Sequence, residues 1–462
     1  MISKWCRAAI LVLLCFLPLS LVGCLSDAPE ITAEDVDIAT VIAWVEEEAF
    51  PLETTELVDD TSDLEWLREA VGDARIVGLG DQTNGTKESI TLSNRVIDFL
   101  LREMEFSVIA TTSCSWGHSL TTDRYISEGK GRSRGAREAF VPPFDLSVTI
   151  LDFLVWARRF KVHQPEVPLH LLGVNPLSPH QSFEWCKNIL LGAGCTFPQA
   201  TLRMIERLEY VYSKMWGDQD EQSKYFAQAS ELMDKIQELL PDYEDKLSEW
   251  ERSIIERIPR SLAQLEEYLL IANDESEPND AGWRQQAFDF YNQCTAENMS
   301  WWLNTLGEDA KVIICGHNSE IAKHWAEADV TPLGQRLSES YGKNYVSFGF
   351  SAGGGIVYAL QREGGDFLGY GPGVVPEPIQ DSYESVLCNT SFTDYALDLR
   401  SLSPDSDIAI WMNESRPFKV LGDNLHTTHR FLDTAYNTFH TLPRMFDVLL
   451  HVQFTRGLDR AY

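Results

Sequence analysis

The stretch IVGLGDQTNGTKESI, residues 76–90, decides how the rest of the chain is read. Its first half, Ile76-Val77-Gly78-Leu79-Gly80, is a short apolar run of the kind that forms a fully buried strand. The run breaks into Asp81-Gln82-Thr83-Asn84-Gly85-Thr86, and a helical pattern begins at Lys87 and Glu88. A buried strand that ends in a Gly-flanked polar loop and feeds a helix is the repeating unit of parallel sheets, and ligands sit at such loops. This loop offers one carboxylate with amide and hydroxyl groups, but no His, Cys or Ser. It has the backbone of a binding loop and no evident proton-transfer group.

The same rhythm recurs along the chain. Ser107-Val108-Ile109-Ala110-Thr111 runs into Thr112 to Gly117, and an apolar helix from Val148 to Phe160 precedes the strand Leu169 to Val174, which ends at Asn175-Pro176. Further strands are predicted at Lys311 to Cys315 and at Tyr345 to Phe350, with Gly353-Gly354-Gly355 turning the chain so that Ile356-Val357-Tyr358 returns. Between about 198 and 275 the apolar residues Leu202, Ile205, Leu208, then Leu232, Ile236 and Leu239, recur every three or four positions amid many charges, the pattern of long amphipathic helices. The expected architecture is one α/β domain over 35–460, a mostly parallel central sheet with helices on both faces and an inserted long-helix subdomain at about 198–275. Four strand ends would then deliver polar groups to one edge: the 81–86 loop, Ser113 to His118, Asn175, and Gly316-His317-Asn318.

With 462 residues and 44% hydrophobic content the chain can bury a full core. A formal charge of −32 and a pI near 4.6 argue against nucleic acid or an anionic surface as partner. Lys4 and Arg7 precede an apolar run over 8–22 that is too short for an ordinary membrane span. Leu21-Val22-Gly23-Cys24 closes it and resembles a bacterial lipobox, so residues 1–23 read as a lipoprotein signal peptide, Cys24 as the lipidation site and 24–34 as a tether. That places the protein at a bacterial cell envelope, at the outer membrane in a Gram-negative host. Cysteines 114, 186, 195, 294, 315 and 388 show no CxxC pairing, so neither a zinc ribbon nor a redox motif is expected.

Several short segments together carry a family resemblance. GDQTNGT at 80–86 resembles the G-E-x-x-H-G-T loop of the erythromycin esterase family; TAEN at 295–298 is similar to its R-D-x-x-M-A-E-N helix; GHNSEIA at 316–322 resembles its A-H-N-x-H segment. LGQRLSESYGKNYVSFGFSAGGG, YALDLR and FDVLLHVQFT follow in the family's order. The resemblance implies a metal- and cofactor-free hydrolase of esters, a macrolide lactone among them, with a small-molecule substrate. It implies catalytic positions at Asp81, Asn84, His317 and Glu297, and substrate contacts at Thr83, Glu88, Ser113, Trp116, Asn318 and Glu320.

The departures fall on the chemistry. Asn84 stands where the family's general-base His would be, Asp81 where its Glu would be, Ser113 where an acid is expected, Tyr291 and Asn292 for Arg and Asp, and Glu320 for the second His. An amide does not accept a proton near neutral pH. Shortening Glu to Asp withdraws the carboxylate by about 1 Å, a displacement that can cost on the order of 100-fold. The sequence therefore reads as a weak or altered ester hydrolase, with His317 as substitute base beside Asp81 or Glu297. A non-catalytic ligand-binding relative and a structural envelope protein remain as alternatives.

Two other motifs compete. Gly349-Phe350-Ser351-Ala352-Gly353 satisfies G-x-S-x-G, but a nucleophile elbow turns from strand into helix and the glycines that follow start a helix poorly. His317, Glu320 and His324 would share a helix face if a helix began at Asn318, a spacing that matches no strong metal motif.

Stable anchoring takes more than one acyl chain, and a lipidated Cys24 would carry several. Cys24→Ser should release the protein into the soluble fraction or stall its processing, read by fractionation and blotting. A variant that stays as membrane-bound as the wild type removes the lipobox reading.

Overall fold

The structure is a computed structural model that describes residues 32–83, 85–140, 147–212, 214–215, 218–273, 282–326, 330–363, 366–422, 424–426 and 436–459. The proposed signal peptide with Cys24, most of the tether, and Asn84 lie outside the described residues.

Twelve strands are described: β1 (Ala49–Pro51), β2 (Ile76–Leu79), β3 (Val108–Ser115), β4 (His170–Asn175), β5 (Val312–Cys315), β6 (Tyr345–Glu363), β7 (Asp366–Val375), β8 (Asp394–Asp398), β9 (Arg416–Lys419), β10 (Asn424–His426), β11 (Asn437–His440) and β12 (Val448–Thr455). Ten form one sheet ordered β1-β8-β12-β6-β2-β5-β3-β4, with β7 and β10 pairing the far end of β6. From β12 to β4 all neighbours are parallel, while β1, β8 and β7 pair antiparallel. The sheet is thus α/β and mostly parallel, with an antiparallel margin.

Helices cover both faces because the strands carry apolar side chains on both. On one face Val77, Leu79, Ile109, Leu171 and Ile313 pack against α1 (Lys87–Glu103) and α2 (Val148–His163). On the other, Ile76, Val108, Ala110, Leu172 and Ile314 meet α3 (Gln199–Tyr212), α4 (Gln219–Leu239), α5 (Glu249–Ala272) and α6 (Gly282–Leu306). The amphipathic stretch after residue 198 thus forms three helices whose apolar faces close over the sheet.

The triglycine differs from the sequence expectation. β6 does not turn at Gly353-Gly354-Gly355; it runs straight through them, and the returning strand is β7, not Ile356-Val357-Tyr358. Gly353 and Gly355 are needed for close approach. A Cβ at Gly353 would lie 2.7 Å from Cys388 Sγ, and one at Gly355 2.2 Å from the Thr455 carbonyl oxygen of β12. Gly355 also has φ +128°, a conformation other residues rarely adopt. The arm so formed reaches over the 81–86 loop, where Tyr358 N donates to the Gly85 carbonyl at 2.9 Å.

That contact leaves no room for a side chain: a Cβ at Gly85 would sit 2.0 Å from Tyr358 O. Gly85→Ala should destabilise the fold by about 1–3 kcal/mol, the usual range for overpacking. The measurement is the denaturant midpoint at constant slope; an unmoved midpoint would mean that the arm does not bear on the loop.

Candidate functional site

β2 stops at Leu79 beside the much longer β6, and its place in the ladder is taken by a side chain. Gly80 N still donates to Phe348 O of β6 at 2.7 Å. Beyond it the carboxamide of Asn318 accepts from Phe350 N at 3.0 Å and donates to Phe350 O at 2.7 Å. Asn318 is fully buried, and a Cβ on Gly80 would lie 2.2 Å from its Oδ1. The chain after Gly80 is thereby turned out of the sheet, where Asp81 O accepts from Asn318 N at 2.7 Å and the Asp81 carboxylate accepts from Thr83 N at 3.1 Å. Thr83 Oγ1 bonds Thr86 Oγ1 and accepts from Gly85 N, so this hydroxyl ties the loop to itself.

Gln82 connects the loop to the rest of the edge. Its carbonyl accepts from Leu421 N at 3.3 Å and from His317 Nε2 at 3.1 Å, while its amide donates to Lys419 O at 2.8 Å. His317 is the N-cap of the one-turn helix α7 (Asn318–Ile321). Its Nδ1 accepts from Ser319 N at 3.2 Å and lies 2.7 Å from Ser319 Oγ, which assigns the remaining ring proton to Nε2, facing Gln82. Both ring nitrogens are therefore engaged. The helix ends at Ile321, so His324 does not continue a face with His317 and Glu320. Among the described residues no group of three or more His, Cys, Asp or Glu is arranged to hold a metal ion.

Glu320 closes the cap from the other side. Its Oε2 accepts from His317 N at 2.8 Å and from Thr112 Oγ1 at 2.8 Å. Burial raises its pKa above the ordinary carboxylate value, against the hydrogen bonds from His317 N, Thr112 and Tyr291. Tyr291 stands beside it, partly buried, its hydroxyl donating to Thr112 O at 3.4 Å, and burial with the Glu320 charge keeps the phenol neutral. Glu320 and Tyr291, the positions at which the family resemblance leads one to expect a His and an Arg, thus join Thr112 and His317 in one polar network.

The other expected residues separate. Glu88 is buried and takes two short bonds from Arg456, 2.6 Å from N and 2.6 Å from Nε, so its carboxylate pins α1 to the segment after β12. Glu297 lies on α6 and is bound by Arg260 and Arg257 of α5 at 2.6 and 2.8 Å. Burial opposes its charge, but the two guanidiniums outweigh that and hold its pKa down to about 2. Trp116 meets Trp301 edge-on and stacks on Trp302 in the core, ring centroids 5.6 and 6.2 Å apart. Ser351 lies within β6, its Oγ 3.1 Å from His451 Nδ1, both side chains buried in the sheet and with no strand-to-helix turn beside them.

Asp81 and Ser113 do come together, at a cavity of about 80 Å³ at the strand ends. α1 brings Ser89, Ser93 and Asn94 to it, and β3 brings Thr111 and Ser113. Its remaining walls are mainly apolar. The α1 contributors Ser93 and Asn94 were not singled out in the sequence; the signal was present, since Ser89, Ser93, Asn94 and Ile97 lie on one helix face that is otherwise core-forming.

Comparison with known proteins bears on the family and the fold. A family model described as erythromycin esterase matches residues 101–455. The chain is 22% identical over 389 residues to erythromycin esterase type II of Escherichia coli, covering 78% of this chain and 89% of that protein. A crystal structure of a Bacillus cereus protein superposes with a TM-score of 0.73 at 22% identity, covering 92% of this chain and all of that one. A mutant of the erythromycin esterase EreC, in its open conformation, has a TM-score of 0.62 at 17% identity, covering 89% and 98%.

The Glu297 pair carries a pH signature. Its folded pKa lies below the unfolded value, so the stabilisation is complete above about 4.5 and is lost as pH falls towards about 2. Glu297→Gln should flatten the thermal stability profile over that window and lower stability at neutral pH, where the two arginines lose their partner. Identical acid profiles for variant and wild type would show that the pair contributes nothing.

Proposed function

We propose that this chain, which belongs to the erythromycin esterase family, is a hydrolase-like member that takes a small-molecule ligand at the strand-end cavity and hydrolyses esters only weakly. The observation that carries the reading is the state of His317. A general base needs a lone pair within reach of the water it activates. Nδ1 is directed at Ser319, and Nε2–H at the Gln82 carbonyl. His317 caps a helix and ties two loops; it does not present a basic nitrogen to the cavity. Glu297 is committed to two arginines and Glu88 to a third, which leaves Asp81 as the carboxylate that lines the cavity among the described residues. A carboxylate withdrawn by one methylene is poorly placed to act as base in lactone hydrolysis, in keeping with Asn84 and Asp81 in place of His and Glu in the sequence. We further propose that Cys24 anchors the protein to the cell envelope.

The test compares turnover with the role of His317. Activated aryl esters and a macrolide lactone should be hydrolysed about 10² to 10⁴-fold more slowly than by a family member with its general base in place. His317→Gln should leave the residual rate and its pH profile within a few-fold of wild type while lowering the melting temperature. Brisk wild-type hydrolysis that collapses in His317→Gln, with an inflection near the pKa of imidazole, would restore His317 as the base and overturn the proposal.

A further inference from the structure

The arm formed by β6 and β7 has two unlike faces. The inner one is ordinary core: Val357, Ala359 and Val375 are buried with Leu421 and Tyr436. The outward positions alternate with these along both strands, and the register pairs Ile356 with Val374, Tyr358 with Pro372 and Leu360 with Tyr370. An antiparallel sheet with one face in water normally carries polar side chains on that face. Here all six outward side chains are apolar or aromatic. Ile356 and Val374 are 41% and 53% exposed, and Tyr358 and Tyr370 stack with ring centroids 6.3 Å apart. Phe454, 69% exposed, extends the face onto β12, where its register partner is Gly354.

Charge decides what can sit there. No Asp, Glu, Lys or Arg occurs in residues 351–361 or 367–376, in a chain of which 23% is charged and whose net charge is −32. Two copies of so acidic a chain repel each other wherever their charged surfaces meet. A symmetric dimer uses the same patch on both subunits, so the patch has to be complementary to itself. An uncharged apolar face meets that condition, and contiguous exposed patches of this kind mark interaction sites. The free edge of β7 serves less well. Gly369, Gly371, Pro372 and Gly373 make it a poor template for an added strand, which leaves the face.

We infer that the outward face of the arm, centred on Ile356 and Val374, binds a second copy of this chain about a two-fold axis, the two sheet faces packed about 10 Å apart. Tyr358 N holds the Gly85 carbonyl, so the association braces the arm that reaches over the 81–86 loop.

The test is the oligomeric state of the full chain carrying Cys24→Ser, which takes any lipid anchor out of the comparison. Sedimentation velocity and light scattering should give twice the chain mass at micromolar concentration, with a reversible shift to the single-chain mass on dilution. Ile356→Glu and Val374→Glu set like charges against each other across the two-fold axis, and each should weaken the dimer by at least about tenfold. Val162→Glu, at a 70% exposed position on α2, should leave it unchanged. Thermal unfolding of the diluted variants, followed by circular dichroism, separates loss of the interface from loss of the fold. The single-chain mass at every concentration overturns the inference without any variant, and so does a dimer that both glutamate variants leave at wild-type strength. Flotation of the same chain with neutral phosphatidylcholine vesicles, abolished by Val374→Glu, assigns the face to a lipid surface and overturns it equally.

Discussion

The carboxyl edge of this sheet depends on one amide standing in for a strand. β2 is the central strand, and it stops four residues after it starts, while β6 beside it continues for more than three times that length. A gap in the middle of a parallel sheet would leave backbone donors and acceptors of β6 buried and unpaired. Asn318, from the far side of the gap, pairs both the N–H and the C=O of Phe350. Gly80 has to be glycine because the carboxamide occupies the space of its side chain. The departure of the 81–86 loop, the position of α7 and the seat of His317 all follow from that substitution of side chain for backbone.

Once Asn318 is fixed, the groups around it have few ways to be satisfied. His317 caps the turn that Asn318 begins, and Glu320 returns to the His317 N–H, a reciprocal capping box. A carboxylate so deep needs further donors, and Thr112 and Tyr291 supply them. In a family member of the resembling pattern a second His and an Arg would stand at positions 320 and 291. Exchanging a cationic pair for an acid and a phenol changes the charge of the edge, but leaves every partner matched to another. The polar network has remained whole by turning inward, and hydrogen bonds that hold the edge together are not available to move a proton to a substrate.

The architecture was legible because buried strands and amphipathic helices leave different periods in the sequence, and the runs at 76–80, 107–111 and 311–315 had no competing reading. The triglycine was misread because Gly marks close approach as readily as it marks a turn. Sequence alone shows the φ freedom, but not the β12 backbone and Cys388 thiol that demand it. Of the site residues, Asp81 and Ser113 could be placed at one cavity because both follow strands whose ends must share an edge. Glu88 and Glu297 could not be assigned, since their partners Arg456 and Arg257 with Arg260 lie on elements far along the chain or on a neighbouring helix. Asn94 was hidden for the opposite reason. A polar residue within an amphipathic helix passes for its solvated face until packing shows which way it points.

A chain with a net charge of −32 still keeps its cavity nearly free of charge. The acidic residues that the structure buries are matched individually: Asp63 by Arg95, Glu88 by Arg456, Glu384 by the Lys419 backbone. Lys419 is itself held by the carbonyls of Ala352, Gly353 and Pro376, so even this buried cation is used up beneath the arm of β6. Cations engaged in this way are not free to stabilise a developing oxyanion at the strand ends. Loss of catalytic electrostatics and a firmly tied polar edge are therefore two consequences of the same arrangement of partners.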